Sequence, residues 1–389
     1  MIYLILLLFS LSVVSCSEKA EKVEELPVEA ILNVRDAQKK DFRYTELFDS
    51  IRVIPLDTVG DFLLGDAVNV KYEQGRIFVR DRGHRVFIFD EKGKGLAKIN
   101  KRGQGAGEYL QIEGFDVSDS DSMLCLYVYP PRLMYWDFNG RFVKEIKVDI
   151  GGEDMALLGD GKVAIFADNQ RTTQEERMPQ LEVLDLSDGS SEGYFPGYSF
   201  YAGGNVPIYQ QHRFFSRTPS GECLMVHPLS NDIFSVSASK VKVKYRLDFG
   251  EQNPCPELKE GFVEPGRLVD YIGKEFLVYG FNGYWENDQW FSVKLWINKE
   301  MTDLLYDKRK GVLYNCGIIN DDMTGTMIFP VKAENDYLVC YLNADNIIMQ
   351  EDYMQSKGKS GRENPVYGEL LDAARQFENP IICLLYFKK

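Results

Sequence analysis

The densest cluster of residues that could do chemistry is Lys101–Gln111, "KRGQGAGEYLQ": two cations, three glycines, then Glu108 and Tyr109. Such a loop could cradle a phosphate if a strand led into it and a helix led out. Backbone N–H groups and the helix dipole would then meet at the anion. The residues that follow, "QIEGFDVSD", alternate apolar and polar as a strand does, and no Lys-Ser or Lys-Thr pair closes the motif. The glycines therefore read as a connection between strands that needs positive φ. Glu108 and Tyr109 are expected to anchor that connection by hydrogen bonds or to face a central opening.

Other candidates sit in similar polar segments. Arg82 and His84 share the turn "DRGHR", and Arg102 precedes the first glycine. Tyr201, His212 and Arg213 fall in the long segment "PGYSFYAGGNVPIYQQHRFF", and His227 comes shortly before Asn231-Asp232. Arg offers a planar fork of donors suited to carboxylate or sulfate, and Tyr offers a flat apolar face with a hydroxyl. Arg82, His84, Arg102, Glu108, Tyr109, Tyr201, His212, Arg213 and His227 together form a candidate site for a glycan, a peptide or a protein partner. The plainer reading is that they are solvated turn residues, since turns are polar anyway.

Metal and covalent chemistry find less support. The chain has only three histidines, His84, His212 and His227, none at helical ligand spacing. "DLSDGSSEG" (Asp185–Gly193) lacks the Glu a calcium loop requires, no G-x-S-x-G elbow occurs, and no Ser-His-Asp set emerges. Acidic residues near the candidate inner strands, such as Glu113, Asp116 and Glu286, make an unconvincing metal set. No catalytic residue, metal or cofactor is assigned. Tyr284, Trp285 and Trp290 in "NGYWENDQWF" fit either a sugar-stacking platform or a packed core.

The elements that must position these residues are strands. From residue 51 onward, short apolar runs are broken by Gly, Asp and Asn turns. "IFVRDRGHRVFIFDEKGKGLAKI" and "CLYVYPPRLMYWDFNGRFVKEI" repeat one plan: strand, polar turn, a strand ending in an aromatic-Asp pair, glycine turn, strand. The offset is about 49 residues, close to the length of a β-propeller blade. Four looser units follow. The sixth has two strands, a helical stretch over about Gly368–Glu378 stopped by Pro380, and a third strand "IICLLYF". Its missing strand can come from the N-terminal "IRVIPLD", which would join the chain ends and remove two exposed sheet edges. The expected architecture is all-β: a six-bladed propeller of four-stranded blades over residues 51–389, closed by the N-terminal strand, with a helical insertion in the last blade.

Ahead of it lie an address and a tether. "MIYLILLLFSLSVVSC" is a short apolar run ending in small residues and Cys16, the pattern of a lipoprotein signal whose cysteine is lipidated. Residues 17–50 read as a mostly flexible tether. This predicts a cell-envelope protein held by an N-terminal lipid, at the outer membrane. The six later cysteines are widely spaced and mostly sit in apolar runs, which favours buried thiols. A net charge of −14 argues against nucleic acid as a partner.

The segment "FIFDEKGKGLAKINKRGQGAGEY", the early "VIPLDT" (Val53–Thr58) and the late Asn379-Pro380 resemble the signature of six-bladed β-propeller lipoproteins of Gram-negative bacteria, related to NHL-type and TolB-like propellers. The resemblance spans essentially the whole mature chain and departs at Ala106, where that family often has Pro. It implies the six-bladed fold and a cell-envelope lipoprotein, and no particular reaction. Three functions stay open: a binding or scaffold module using the loop face at the channel mouth, a lactonase-like hydrolase or lyase using a channel metal, or a structural subunit of an envelope assembly.

Overall fold

A computed structural model describes residues 26–118, 121–167, 178–196, 213–227, 230–253, 278–297 and 300–389. The described strands form six sheets, each one blade of a β-propeller. The inner strands are Ala67–Glu73, Gln111–Ser118, Asp154–Gly159, Phe215–Arg217, Val278–Glu286 and Phe329–Ala333. They touch one another in that order and the last returns to the first. In the first blade, Arg76–Asp81, Val86–Asp90 and Gly95–Ile99 follow outward as an antiparallel meander. Both faces of a blade pack on neighbours, so middle strands read as nearly continuous apolar runs. "MLCLYVY" (Met123–Tyr129) is buried from Leu124 to Val128. Phe78 and Ile88 of the first blade meet Phe115 and Leu126 of the second in one such interface.

The repeated aromatic-Asp pair has a structural cause. Asp90 accepts from the backbone of Lys92 and Lys94, each at 2.9 Å, and Asp137 from Asn139 and Arg141 at 2.9 and 2.8 Å. Asp307 serves Arg309 and Lys310 in the same way. The carboxylate fixes the turn into the outer strand, and the aromatic beside it faces the core.

The closing strand is Phe48–Pro55. It pairs antiparallel with Ile381–Phe387, with Ile54 opposite Ile382 and Arg52 opposite Leu384. The last blade thus combines both ends of the chain, as expected. Asn379 fastens the junction: its amide donates to Asp57 O and Phe62 O, and its oxygen accepts from Leu64 N.

Two expectations need correction. The tether does not extend to residue 50. Val28–Asn33 adds a parallel fifth strand outside Val241–Asp248 of the fourth blade, and Gln38–Lys39 adds one outside Val312–Asn315 of the fifth. Leu32, Phe42 and Leu47 are buried by this docking, which explains why a charged segment still orders. The helical insertion also holds two helices: Ala344–Ser356 precedes Pro365–Phe377. The first buries only Ala344, Ile347 and Glu351, too narrow a stripe to announce itself as an amphipathic helix. Among the described residues no helix is long and apolar enough to cross a membrane. Cys125, Cys223, Cys316, Cys340 and Cys383 are free and buried, whereas Cys255 and Cys16 lie outside the described residues.

Candidate functional site

The glycine loop is a pinned connection between the outer strand of the first blade and the inner strand of the second. Tyr109 N donates to Lys101 O at 3.0 Å and Gly103 N to Tyr109 O at 2.9 Å, closing the loop at its base. Glu108 turns back so that its carboxylate accepts from Gly105 N at 2.7 Å, and Arg132 of the second blade donates to Glu108 O at 2.5 Å. Positive φ is required at Gly107 (+72°), one of the three glycines. Tyr109 is fully buried and its hydroxyl donates to His84 O at 2.9 Å. Burial pushes that phenol up to about 12, so it acts as a fixed donor.

His84 completes the clamp. It holds a left-handed backbone (φ +58°) in the turn of the first blade, and its Nδ1 accepts from Ile112 N at 3.1 Å. Partial burial lowers its pKa, favouring the neutral ring that can accept. Two cations remain outward on this scaffold. The Arg82 side chain is 77% exposed and pairs with exposed Asp66 at 3.2 Å. Arg102 is exposed and makes no side-chain hydrogen bond or ion pair to a described residue.

The remaining candidates are placed differently. Arg213 turns inward, where its guanidinium donates to Val331 O and to Pro330 O of the sixth blade. His227 is buried between the third and fourth blades, bonded to Gln180 and packed edge-on against Phe166. Tyr201 and His212 lie outside the described residues. The structure therefore brings together Arg82, His84, Arg102, Glu108 and Tyr109, and puts Arg213 and His227 in interblade contacts. Tyr284 and Trp285 are core as well: both are buried, and the Tyr284 hydroxyl donates to Phe214 O at 2.7 Å.

The channel holds a feature that local sequence could not reveal. Asp116, on the second inner strand, accepts from Lys71 of the first at 2.7 Å and from Arg217 of the fourth at 2.9 Å. It also accepts from Leu157 N of the third at 2.8 Å. Burial alone would raise this carboxyl, but Lys71 and Arg217 overcome it and hold it well below the usual carboxylate range. Lys332 and Glu73 tie the sixth blade to the first at 2.7 Å. Glu286, another acidic candidate, is paired with Lys244 and Lys308. Among the described residues no group of three or more His, Cys, Asp or Glu side chains could hold a metal ion.

Residues 29–386 match the model of a family described as a domain of unknown function (DUF4934), and the chain belongs to that family. None of the curated proteins compared with it matches. Similar solved structures include a Bacteroides fragilis NCTC 9343 protein (16% identity, TM-score 0.70, covering 93% of this chain and 100% of that one). Another is a DUF4221 family member from Bacteroides vulgatus ATCC 8482 (12% identity, TM-score 0.51, covering 88% and 97%). At these identities the likeness speaks for the propeller fold alone, and it does not extend to an NHL-type or TolB-like lipoprotein family.

Proposed function

We propose that this protein is a lipid-anchored binding module of the cell envelope, of the propeller-lipoprotein kind, which takes an anionic glycan or peptide on its loop face. The observation that carries the reading is the pinned glycine loop. Tyr109, His84, Glu108 and Arg132 fix a backbone that bears Arg102 outward, with Arg82 on the adjoining turn. The backbone that carries these exposed guanidinium groups is held in place, and their planar donors are suited to carboxylate or sulfate, so that binding has to order the two side chains but not the loop. The Asp66–Arg82 pair is exposed, and such pairs contribute little, so a ligand can replace it. The lactonase-like alternative lacks a ligand set among the described residues.

A sulfated or uronic-acid glycan series tests this. Binding should weaken as salt rises, because exposed charges are screened beyond about 8–10 Å at physiological ionic strength. Arg102→Ala and Arg82→Ala should each lower affinity roughly two- to ten-fold, the scale of one ordinary net hydrogen bond at a solvent-exposed site, with the melting temperature unchanged. Salt-independent binding, or full affinity in the double variant, would sink the reading.

A further inference from the structure

Between the fifth and sixth blades lies a cavity of about 380 Å³ that the loop-face reading does not use. It runs from channel-side residues, Asn69 and Arg213, to the connection before the sixth blade. There Met327 is 65% exposed and marks where the cavity meets solvent. Its volume lies within the range of small-molecule pockets, about 300–1,000 Å³.

The walls are selective in two ways. Tyr44, Phe48, Trp285, Phe329 and Tyr341 give the lining an aromatic character, suited to edge and face contacts with a flat ring. The charges in the wall already have partners: Lys294 pairs with Asp303 at 2.9 Å, and Arg213 donates to backbone carbonyls. A charged ligand would lose its hydration against these apolar walls and find little in return.

One polar group is left over. Asn69, on the first inner strand, is 4% exposed and lines the cavity, and its side-chain oxygen, covered as it stands, receives no hydrogen bond; a half-turn of the amide about its last bond exchanges that oxygen with the accessible amide nitrogen and presents it to the cavity. Buried acceptors are normally satisfied, and one that is not marks a place for a donor. We propose that the cavity binds a small neutral aromatic molecule that carries a hydroxyl or N–H group, with Asn69 accepting from that group. A site built to hydrogen-bond a donor discriminates against the analogue that lacks it.

Fluorine NMR of the full chain with 4-fluorophenol and 4-fluoroanisole tests this contact, since the two probes share the ring and the anisole carries an O-methyl group in place of the donor; Asn69→Leu separates the donor from the added methyl. The phenol should bind at least about five-fold more tightly, the scale of one buried hydrogen bond. Asn69→Leu should bring the ratio near one while anisole binding persists. Met327→Trp, at an exposed position, should weaken both probes by narrowing the opening. Equal affinities in the native protein, no binding of either probe, or a preference that survives Asn69→Leu would overturn the proposal. If Asn69→Leu does not fold, Met327→Trp decides: weakened binding of both probes supports the cavity, and unchanged binding overturns it. Neither variant touches Arg82 or Arg102, so the loop-face site is tested separately.

Discussion

At the scale of single residues, the channel shows how much can hang on one carboxylate. Asp116 joins the inner strands of four blades through Lys71, Leu157 and Arg217. Asp116→Ala would leave two part-buried cations without this anion, which costs up to about 3–5 kcal/mol, and the urea midpoint should fall accordingly. Glu351 offers a gentler test. It is buried in the helical insertion, and bonds from Ser360 and Gly361 N, with Gln355, lower its pKa to about 2. A depressed carboxyl stabilises fully above its unfolded value, about 4.3, and that contribution is lost as pH falls towards the folded value. Glu351→Gln should therefore be less stable than the native chain at pH 6 and should lose less on acidification from pH 4.5 to 2; equal slopes in thermal melts would refute the linkage. Residues of this kind are only half legible in a sequence. Glu108 and Tyr109 could be read as loop anchors because their partners are local or in the adjoining turn. Asp116 could not, because Arg217 stands 101 residues away along the chain.

At the scale of elements, the repeat was readable because it is written in turns and strand ends. Asp90 and Asp137 cap the same turn in successive blades, so the spacing survives even where the apolar residues differ. The closing strand was readable for a different reason: the last blade was one strand short. Val28–Asn33 was not, because a fifth parallel strand fills no vacancy in the count, and its six residues leave Ile31 64% exposed. The two segments should consequently differ in weight. Deleting Phe48–Pro55 removes Phe48 and Ile54 from two cores and opens the ring, so cooperative melting should be lost. Deleting residues 26–33 strips an outer edge and should lower the melting temperature by only a few degrees, since each kcal/mol shifts a domain larger than 250 residues by no more than about 2–4 °C. Comparable melting behaviour in the two truncations would contradict the closure argument.

At the scale of the whole molecule, the ring is closed by its own ends and its described part already docks at Leu26 and Pro27, so whatever lies before that point should affect where the protein resides and not whether it folds. The sequence places Cys16 after an apolar run and before "SEKAEKVEELP", a charged stretch with few large apolar residues. One acyl chain binds a membrane only marginally, and stable anchoring takes two or more, as a lipidated N-terminal cysteine would supply. Cys16→Ala should accordingly move the protein from the membrane fraction to the soluble fraction on cell fractionation. Its melting temperature should match that of the native chain without residues 1–16, because neither change reaches the first docked strand. A Cys16→Ala protein that still sediments with membranes would show that the apolar run itself, or the propeller surface, holds the membrane. A variant that leaves the membrane but melts earlier would show that the N-terminal segment contributes to the fold, against the division between address and ring drawn from the strand pairing.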